Sequence, residues 1–168
     1  MDELTASVGL TRGALYHAFG DKTGLLAAVV AQVDGEMAAR AQQAGMQADD
    51  RWEGLLAEAA AYIEMALDPE IRRIVLLDGP AFLGDPSQWP SQNACLTITQ
   101  QAVNDLIAGG VMKQVDPEAA SRLLSGAAFD AALWVGASDT PSLALPKAIH
   151  AFRNMAEGFL VEPRSRSA

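Results

Sequence analysis

Arg12, Tyr16 and His17 lie within six residues of one another near the N-terminus, and they could act together on one surface. The other side of the same predicted helix carries Leu15 and Phe19, which are four residues apart and therefore share a face. Arginine, tyrosine and histidine donate hydrogen bonds to phosphate oxygens and base edges, and an α-helix fits the major groove of DNA. The segment is therefore a candidate DNA-binding surface. Ordinary half-buried surface residues remain the alternative interpretation.

The neighbouring sequence predicts a helix-turn-helix. Short helices are expected over residues 2–8 and 11–19, joined by a turn that contains Gly9. Thr11 can cap the second helix, which leaves its first N–H groups available to a phosphate. Gly13 costs a helix about 1 kcal/mol, and a position without a side chain suits a helix that another surface must approach closely. Lys22 begins the next helix and points at the same DNA backbone.

The charge distribution restricts where nucleic acid can bind. The chain has a formal net charge of −9, which argues against a surface that binds a polyanion all over. Residues 4–33 carry only Arg12, Asp21 and Lys22, so this segment is slightly positive, and the acidic residues are concentrated downstream. We therefore expect DNA to contact the N-terminal end alone.

Composition predicts an all-α protein. Half of the 168 residues are hydrophobic, and no stretch alternates between apolar and polar residues as an amphipathic strand would. The single Cys95 excludes a disulfide framework within the chain. The N-terminus lacks the apolar segment of a signal peptide, and the apolar runs fall short of the roughly 20 residues of a membrane helix. We expect a soluble, cytoplasmic protein without membrane contact.

Aspartate or threonine before proline marks several helix starts, because the side chain caps the helix and proline suits its first turn. The pattern occurs at Asp68-Pro69, Asp85-Pro86, Asp116-Pro117 and Thr140-Pro141. Asp78-Gly79-Pro80 is expected to end a helix. The predicted helices that follow the helix-turn-helix span residues 22–44, 51–67, 69–77 and 117–135. Another helix begins between residues 86 and 90 and ends near residue 108. The last helix ends near residue 160, and Pro146 makes its start uncertain.

These elements divide into two units and a tail. Residues 1–44 form a helix-turn-helix head with its connecting helix, residues 45–162 form a helical body for ligand binding and dimerisation, and residues 163–168 are a polar, flexible tail.

Two helices of the body have the composition of a dimer seam. Small residues on the helix from Pro117 allow a second helix to approach closely, and the last helix carries an apolar stripe at helical spacing. An intramolecular core is the alternative. The predicted interface residues are Leu123, Gly126, Ala127, Asp130, Ile149, Phe152, Ala156 and Phe159.

Apolar residues with sparse polar neighbours in the middle helices predict a ligand pocket. Ordinary core packing explains each of them singly at least as well. The residues predicted to line the pocket are Trp52, Leu56, Tyr62, Met65, Leu77, Trp89, Asn93 and Thr97.

The N-terminal segment resembles the tetracycline-repressor (TetR) family of transcriptional regulators, and residues 67–84 resemble a segment of one branch of that family. The resemblance implies a homodimer with one DNA-binding head per protomer, a palindromic operator, and a body that binds a small-molecule effector and relieves repression. It assigns DNA contacts to Thr11, Arg12, Gly13, Tyr16, His17 and Lys22. The matching residues are Leu4, Ala6, Val8-Gly9-Leu10-Thr11, Gly13, Leu15-Tyr16, Phe19, Lys22 and Leu25-Leu26.

The family also has a helix before the one that begins at Asp2, and the present sequence starts at Met1. Without that cover, we expect residues 1–20 to be the least ordered part of the chain and DNA binding to be weak. A helical dimer that binds a small molecule but no DNA is therefore an alternative. An enzyme is less favoured, because Cys95, His17 and His150 form no catalytic pattern and no spacing suits a metal or cofactor.

Overall fold

The computed structural model describes residues 12–162, and every regular element in that range is helical. An isolated bridge between Met112 and Leu160 is the one β-type pairing within the described residues. The all-α prediction is confirmed. None of the helices in the described range is both long and apolar enough to cross a membrane. The α-helices are α1 (Arg12–Phe19), α2 (Lys22–Met46), α3 (Arg51–Glu64), α4 (Pro69–Ile71), α5 (Gly79–Leu83), α6 (Pro90–Ala108), α7 (Pro117–Ala137) and α8 (Pro141–Glu157).

Aspartate side chains cap four of the eight α-helices, namely α2, α3, α4 and α7. The carboxylate of Asp116 accepts a hydrogen bond of 2.8 Å from the backbone N–H of Ala119, and Asp50 caps α3 in the same way. Asp68 and Asp85 cap the short helical segments that follow them. Helix α8 begins at Pro141, directly after Thr140, but the side chain of Thr140 makes no capping hydrogen bond within the described residues, so the predicted cap is wrong there. The capping pattern therefore holds where an aspartate carboxylate accepts a hydrogen bond from a backbone N–H two or three residues ahead.

The segment after α4 departs from the prediction. Asp78-Gly79-Pro80 was expected to end a helix, but a π-helical stretch (Arg72–Asp78) continues directly into α5. Pro80 lies in the first turn of α5, where its missing N–H costs little. Pro146 likewise lies inside α8 without ending it. Proline has no N–H to donate to the carbonyl four residues earlier, and because Pro146 is exposed, water can bind that carbonyl instead.

The body packs around α3, which contacts α2, α6, α7 and α8. Ion pairs support two of these contacts: Arg51 on α3 bonds Asp105 on α6 at 2.8 Å, and Arg153 on α8 bonds Glu53 on α3 at 2.6 Å. The pairs are partly exposed, so burial of apolar side chains provides most of the stability. The most deeply buried of these side chains include Val30, Met37, Trp52, Ile63, Val75, Val103, Met112, Ala132 and Val135.

Gly79 makes room for the ring of Trp89. A Cβ at position 79 would lie 2.6 Å from Cη2 of Trp89 and 3.2 Å from the carbonyl oxygen of Ile74. Trp89 is itself buried, so its ring has little space to move aside.

Gly79→Ala should therefore lower the free energy of unfolding by about 1–3 kcal/mol, because the added methyl group overpacks the contact with Trp89. Gly35→Ala is the matched control, since nothing lies within 4 Å of a Cβ built at that position of α2. The control should raise stability by up to about 1 kcal/mol. Urea unfolding of both variants measures the difference, and equal changes would contradict the packing argument.

Candidate functional site

The predicted DNA-binding residues fall on α1 and at the start of α2. Thr11 lies outside the described residues, while Arg12, Gly13 and Tyr16 belong to α1. The side chains of His17 and Lys22 are exposed. The expectation of disorder over residues 1–20 also falls largely outside the described residues and stays a prediction.

The turn between α1 and α2 has a defined geometry. Gly20 follows α1 with a φ of 75°, in the left-handed region that glycine adopts without steric cost. Asp21 then caps α2 by accepting a hydrogen bond of 2.8 Å from the N–H of Gly24. These two residues set the direction in which α2 leaves the head and place Lys22 in its first turn, one short turn from α1.

A half-open cavity of about 90 Å³, which we call the inner cavity, lies in the body, and the exposed Ile98 is one of its lining residues. Side chains from α2, α3, α6, α7 and α8 form its wall, which is largely apolar. The lining residues are Ala38, Ala41, Gln42, Leu55, Glu58, Ala59, Tyr62, Gln92, Cys95, Ile98, Thr99, Leu124, Ser125, Ala128 and Phe152.

Of the eight residues predicted to line a pocket, Tyr62 lines this cavity. Trp52 and Met65 are buried in the core, and Trp89 packs on Gly79. The exposed Leu77 points away from the core. Of the remaining predicted residues, Leu56 is buried and borders a separate groove, Asn93 lines an outer groove, and Thr97 is exposed on α6.

The sequence interpretation missed Asp34, a fully buried carboxylate on α2. Its Oδ1 accepts a hydrogen bond of 2.8 Å from Nε2 of Gln92. Within the described part of the chain, no donor lies within hydrogen-bond distance of its Oδ2. Burial raises the pKa of Asp34, and the polar side chains of Ser91 and Gln92 oppose that effect only in part.

A sequence signal for the burial of Asp34 does exist. Val30, Asp34, Met37 and Ala41 recur at helical spacing and are the buried residues of α2. A charged residue on an otherwise apolar face is the pattern that marks a functional carboxylate or a buried partner.

Three residues that line the cavity, Glu58, Tyr62 and Cys95, have a pKa raised by burial. Burial raises the pKa of Glu58, and the nearby charge of Arg51 lowers it in part. Burial, with the Asp34 carboxylate nearby, raises the pKa of Cys95 to about 11, so the thiol is protonated at neutral pH. Within residues 12–162, no cluster of histidine, cysteine and acidic side chains could hold a metal ion.

The outer face of α7 and α8 exposes apolar side chains, with Leu123 63% and Met155 43% exposed. Trp134 and Leu143 on the same two helices are also exposed. A shallow groove on this face, the α7/α8 groove, is lined by five of the predicted dimer residues: Leu123, Gly126, Ala127, Asp130 and Phe159.

The other predicted dimer residues lie elsewhere. Phe152 and Ala156 are buried inside the protomer, and Phe152 forms part of the cavity wall, so neither side chain is available to a second copy. Ile149 is half-buried in a separate groove next to Leu56. The apolar residues along α8 and just beyond its end therefore lie on more than one side. Met155 and Phe159 face the α7/α8 groove, whereas Phe152 and Ala156 face the interior of the protomer.

Comparison with known proteins covers both parts of the chain. Residues 52–159 match the family described as "Tetracyclin repressor-like, C-terminal domain", and residues 1–29 match "Bacterial regulatory proteins, tetR family". A crystal structure of a TetR-family transcriptional regulator from Pectobacterium atrosepticum is 46% identical, with a TM-score of 0.89. The similarity covers 98% of this chain and 84% of that one. No curated protein matches the chain.

Asp34→Asn should stabilise the protein at neutral pH. Burial raises the folded-state pKa of Asp34 above its ordinary value of 3.8, so between the two values the native state holds a proton that the unfolded state has lost. The contribution of Asp34 to stability is therefore present below pH 3.8 and is lost as the pH rises through the folded-state pKa. Asparagine keeps the shape and does not ionise.

The measurement is urea unfolding of wild type and Asp34→Asn at pH 4 and pH 7, with Glu64→Gln as the exposed control. The advantage of Asp34→Asn should be larger at pH 7 than at pH 4, because ionisation of the buried wild-type carboxyl becomes a greater cost to the native state as the pH rises. A variant that is less stable than wild type at pH 7 would mean that the carboxylate is well paired in the native state.

Proposed function

The chain belongs to the TetR family of bacterial transcriptional regulators, and from this premise we propose that it is a ligand-responsive repressor that binds a palindromic operator as a homodimer. One observation carries the proposal. Helix α2 is unbroken from Lys22 to Met46, so it joins the head to a body that contains a cavity. A ligand in that cavity contacts the same helix that carries the head.

The head is proposed to bind the major groove through α1. Arg12, Tyr16 and His17 are the candidates for contacts with base edges and phosphates, and Lys22 is the candidate for a phosphate contact. A single short helix reads few base pairs, so two heads on half-sites about 34–36 Å apart are needed for useful affinity.

The proposed dimer interface is the α7/α8 face. Leu123 and Met155 are too exposed to contribute to the protomer core, and a symmetric partner would cover them. Nothing lies within 4 Å of a Cβ built at Gly126, so a second helix can approach closely there. Two copies of α7 and α8 then form a four-helix bundle.

Charges on α7 support an antiparallel arrangement about Gly126. Arg122 lies four residues before Gly126 and Asp130 four residues after it, and both line the groove. In a two-fold symmetric contact, residue i meets residue j while j meets i. If α7 crosses its copy at Gly126, each Arg122 faces the Asp130 of the second copy.

Repression would be relieved when the ligand favours a conformation with wrongly spaced heads. A ligand shifts this equilibrium only by its difference in affinity for the two conformations. We propose that the body binds its ligand without transforming it. The protonated Cys95 is a poor nucleophile, and His17 and His150 lie on separate helices, α1 and α8.

Arg12→Ala and Lys22→Ala should each weaken operator binding by about tenfold or more, since each removes two contacts per dimer. The plot of log K against log salt should become shallower by about 1.8 for Lys22→Ala, if each protomer loses one phosphate contact. Fluorescence anisotropy with operator DNA at several salt concentrations measures both effects.

Lys147→Ala is the matched control, because it removes an exposed positive charge from α8 in the body. It should leave operator affinity and the salt slope unchanged. Equal binding by wild type and by the Arg12→Ala, Lys22→Ala double variant would contradict the assignment of the head.

Charge reversals on α7 test the dimer and its register together. Asp130→Arg places two like charges opposite each other and should weaken the dimer several-fold, and Arg122→Glu should do the same. The double variant restores opposite charges and should dimerise like wild type. Analytical ultracentrifugation measures the dissociation constants.

Leu123→Glu should dissociate the dimer in any register, because it buries an unpaired charge in the seam. Met46→Glu is its control, since Met46 is 80% exposed at the end of α2. If Leu123→Glu is monomeric but neither charge reversal weakens the dimer, the result supports the α7/α8 face as the interface and contradicts the antiparallel register about Gly126. An intact Leu123→Glu dimer would place the interface elsewhere.

A further inference from the structure

A buried polar cluster closes one side of the inner cavity. Nε2 of Gln92 donates to Oδ1 of Asp34 at 2.8 Å and to Oη of Tyr62 at 3.3 Å. Gln92 and Tyr62 line the cavity, and Asp34 lies directly behind them. The amide of Gln92 thus occupies a position between a carboxylate and a phenol, where both neighbours accept its hydrogen atoms.

The cluster leaves strong hydrogen-bonding groups unused. Asp34 is fully buried, yet no donor in residues 12–162 reaches its Oδ2. Removing a carboxylate from water costs several kcal/mol unless charges or hydrogen bonds compensate. The amide of Gln92 supplies one hydrogen bond, and the side chains of Ser91 and Gln92 lower the pKa of Asp34 only in part, but neither of them brings a positive charge. The arrangement suits a partner that brings both.

The charge on the cavity wall is negative. Glu58 contributes a second carboxylate, and among the described lining residues there is no lysine or arginine. An anionic ligand would meet Glu58 in the wall and Asp34 behind Gln92, and Arg51, whose charge acts on Glu58, is not one of the lining residues. The rest of the wall is apolar and includes Leu55, Leu124 and Phe152.

We propose that the effector of this regulator is a primary ammonium compound with a compact apolar body, and that its ammonium group replaces the amide of Gln92 at Asp34 and Tyr62. The inference rests on the proposed function in one respect only, which is that the cavity serves as the effector site. The ammonium group donates to both acceptors and supplies the charge that the amide lacks.

Gln92 also lies at the entrance through which a ligand would reach the inner cavity. Gln92 and Ser125 line the inner cavity, and both also line a larger outer groove of about 370 Å³ between α6 and α7. When the Gln92 side chain turns outward, the two spaces join, and the small cavity can admit a ring as well as an ammonium group. Arg122 and Gly126 line this outer groove and the α7/α8 groove, so the entrance lies beside the proposed dimer seam.

Three compounds of nearly equal size test the charge requirement: benzylamine, benzyl alcohol and phenylacetate. Isothermal titration calorimetry with the full chain at pH 7 should show benzylamine binding at least tenfold more tightly than benzyl alcohol, as expected for a hydrogen bond to a charged group. Phenylacetate should bind least. No binding of benzylamine, equal binding of the alcohol, or preference for phenylacetate overturns the proposal.

Variants locate the counter-charge. Asp34→Asn should fold, since it removes a buried charge, and should reduce the preference for benzylamine over benzyl alcohol at least tenfold. Glu64→Gln, an exposed acid on α3, is the control and should change nothing. Gln92→Ala removes the competing amide and should tighten benzylamine binding several-fold. Unchanged selectivity in Asp34→Asn refutes the role of this carboxylate.

Operator binding separates this inference from the proposed function. Benzylamine binding that depends on Asp34, in a protein that binds no operator, leaves the inference standing and defeats the regulator proposal. Operator binding without benzylamine selectivity does the reverse.

Discussion

Helices α2 and α3 pass each other at Gly45 and Gly54, where a Cβ on Gly54 would lie 3.0 Å from the carbonyl oxygen of Gly45. A Cβ on Gly45 would lie 2.5 Å from the side chain of Glu58, so that carboxylate occupies the space that glycine leaves. The rest of the body follows from this crossing. It turns the Asp34 face of α2 and the Tyr62 face of α3 toward one cavity, which α6, α7 and α8 then enclose.

The sequence predicted the features that depend on nearby residues. Aspartate before proline caps a helix within three residues of itself, so Asp68, Asp85 and Asp116 behave as expected. Asp78-Gly79-Pro80 was misjudged because the stop signal is local, whereas packing of Gly79 on Trp89 is a tertiary contact that no local pattern contains.

The candidate site was harder to predict for the same reason. Helical periodicity finds apolar faces, but it does not say whether a face packs on its own chain or on a copy, and so Phe152 and Phe159 were grouped together although they face different sides. Helical spacing could have indicated that Asp34 is buried, but its contact with Gln92, 58 residues away and 2.8 Å from it, is tertiary and has no local signal. Its burial in the protomer is a cost to stability at neutral pH, and such costs are common at sites shaped by binding.

The continuity of α2 gives the molecule a lever arm. Asp34 lies twelve residues after Lys22 on the same helix, which at ~1.5 Å per residue is an arm of ~18 Å. A tilt of ~10° about Asp34 would move the head by ~3 Å, and in the proposed two-fold dimer the change in spacing would double to ~6 Å. Because successive base pairs are ~3.4 Å apart, such a tilt would shift the heads by almost two base pairs. On the other side of the pivot it would move Gly45 by ~3 Å, so the contact between Gly45 and Gly54 would have to adjust as the heads move.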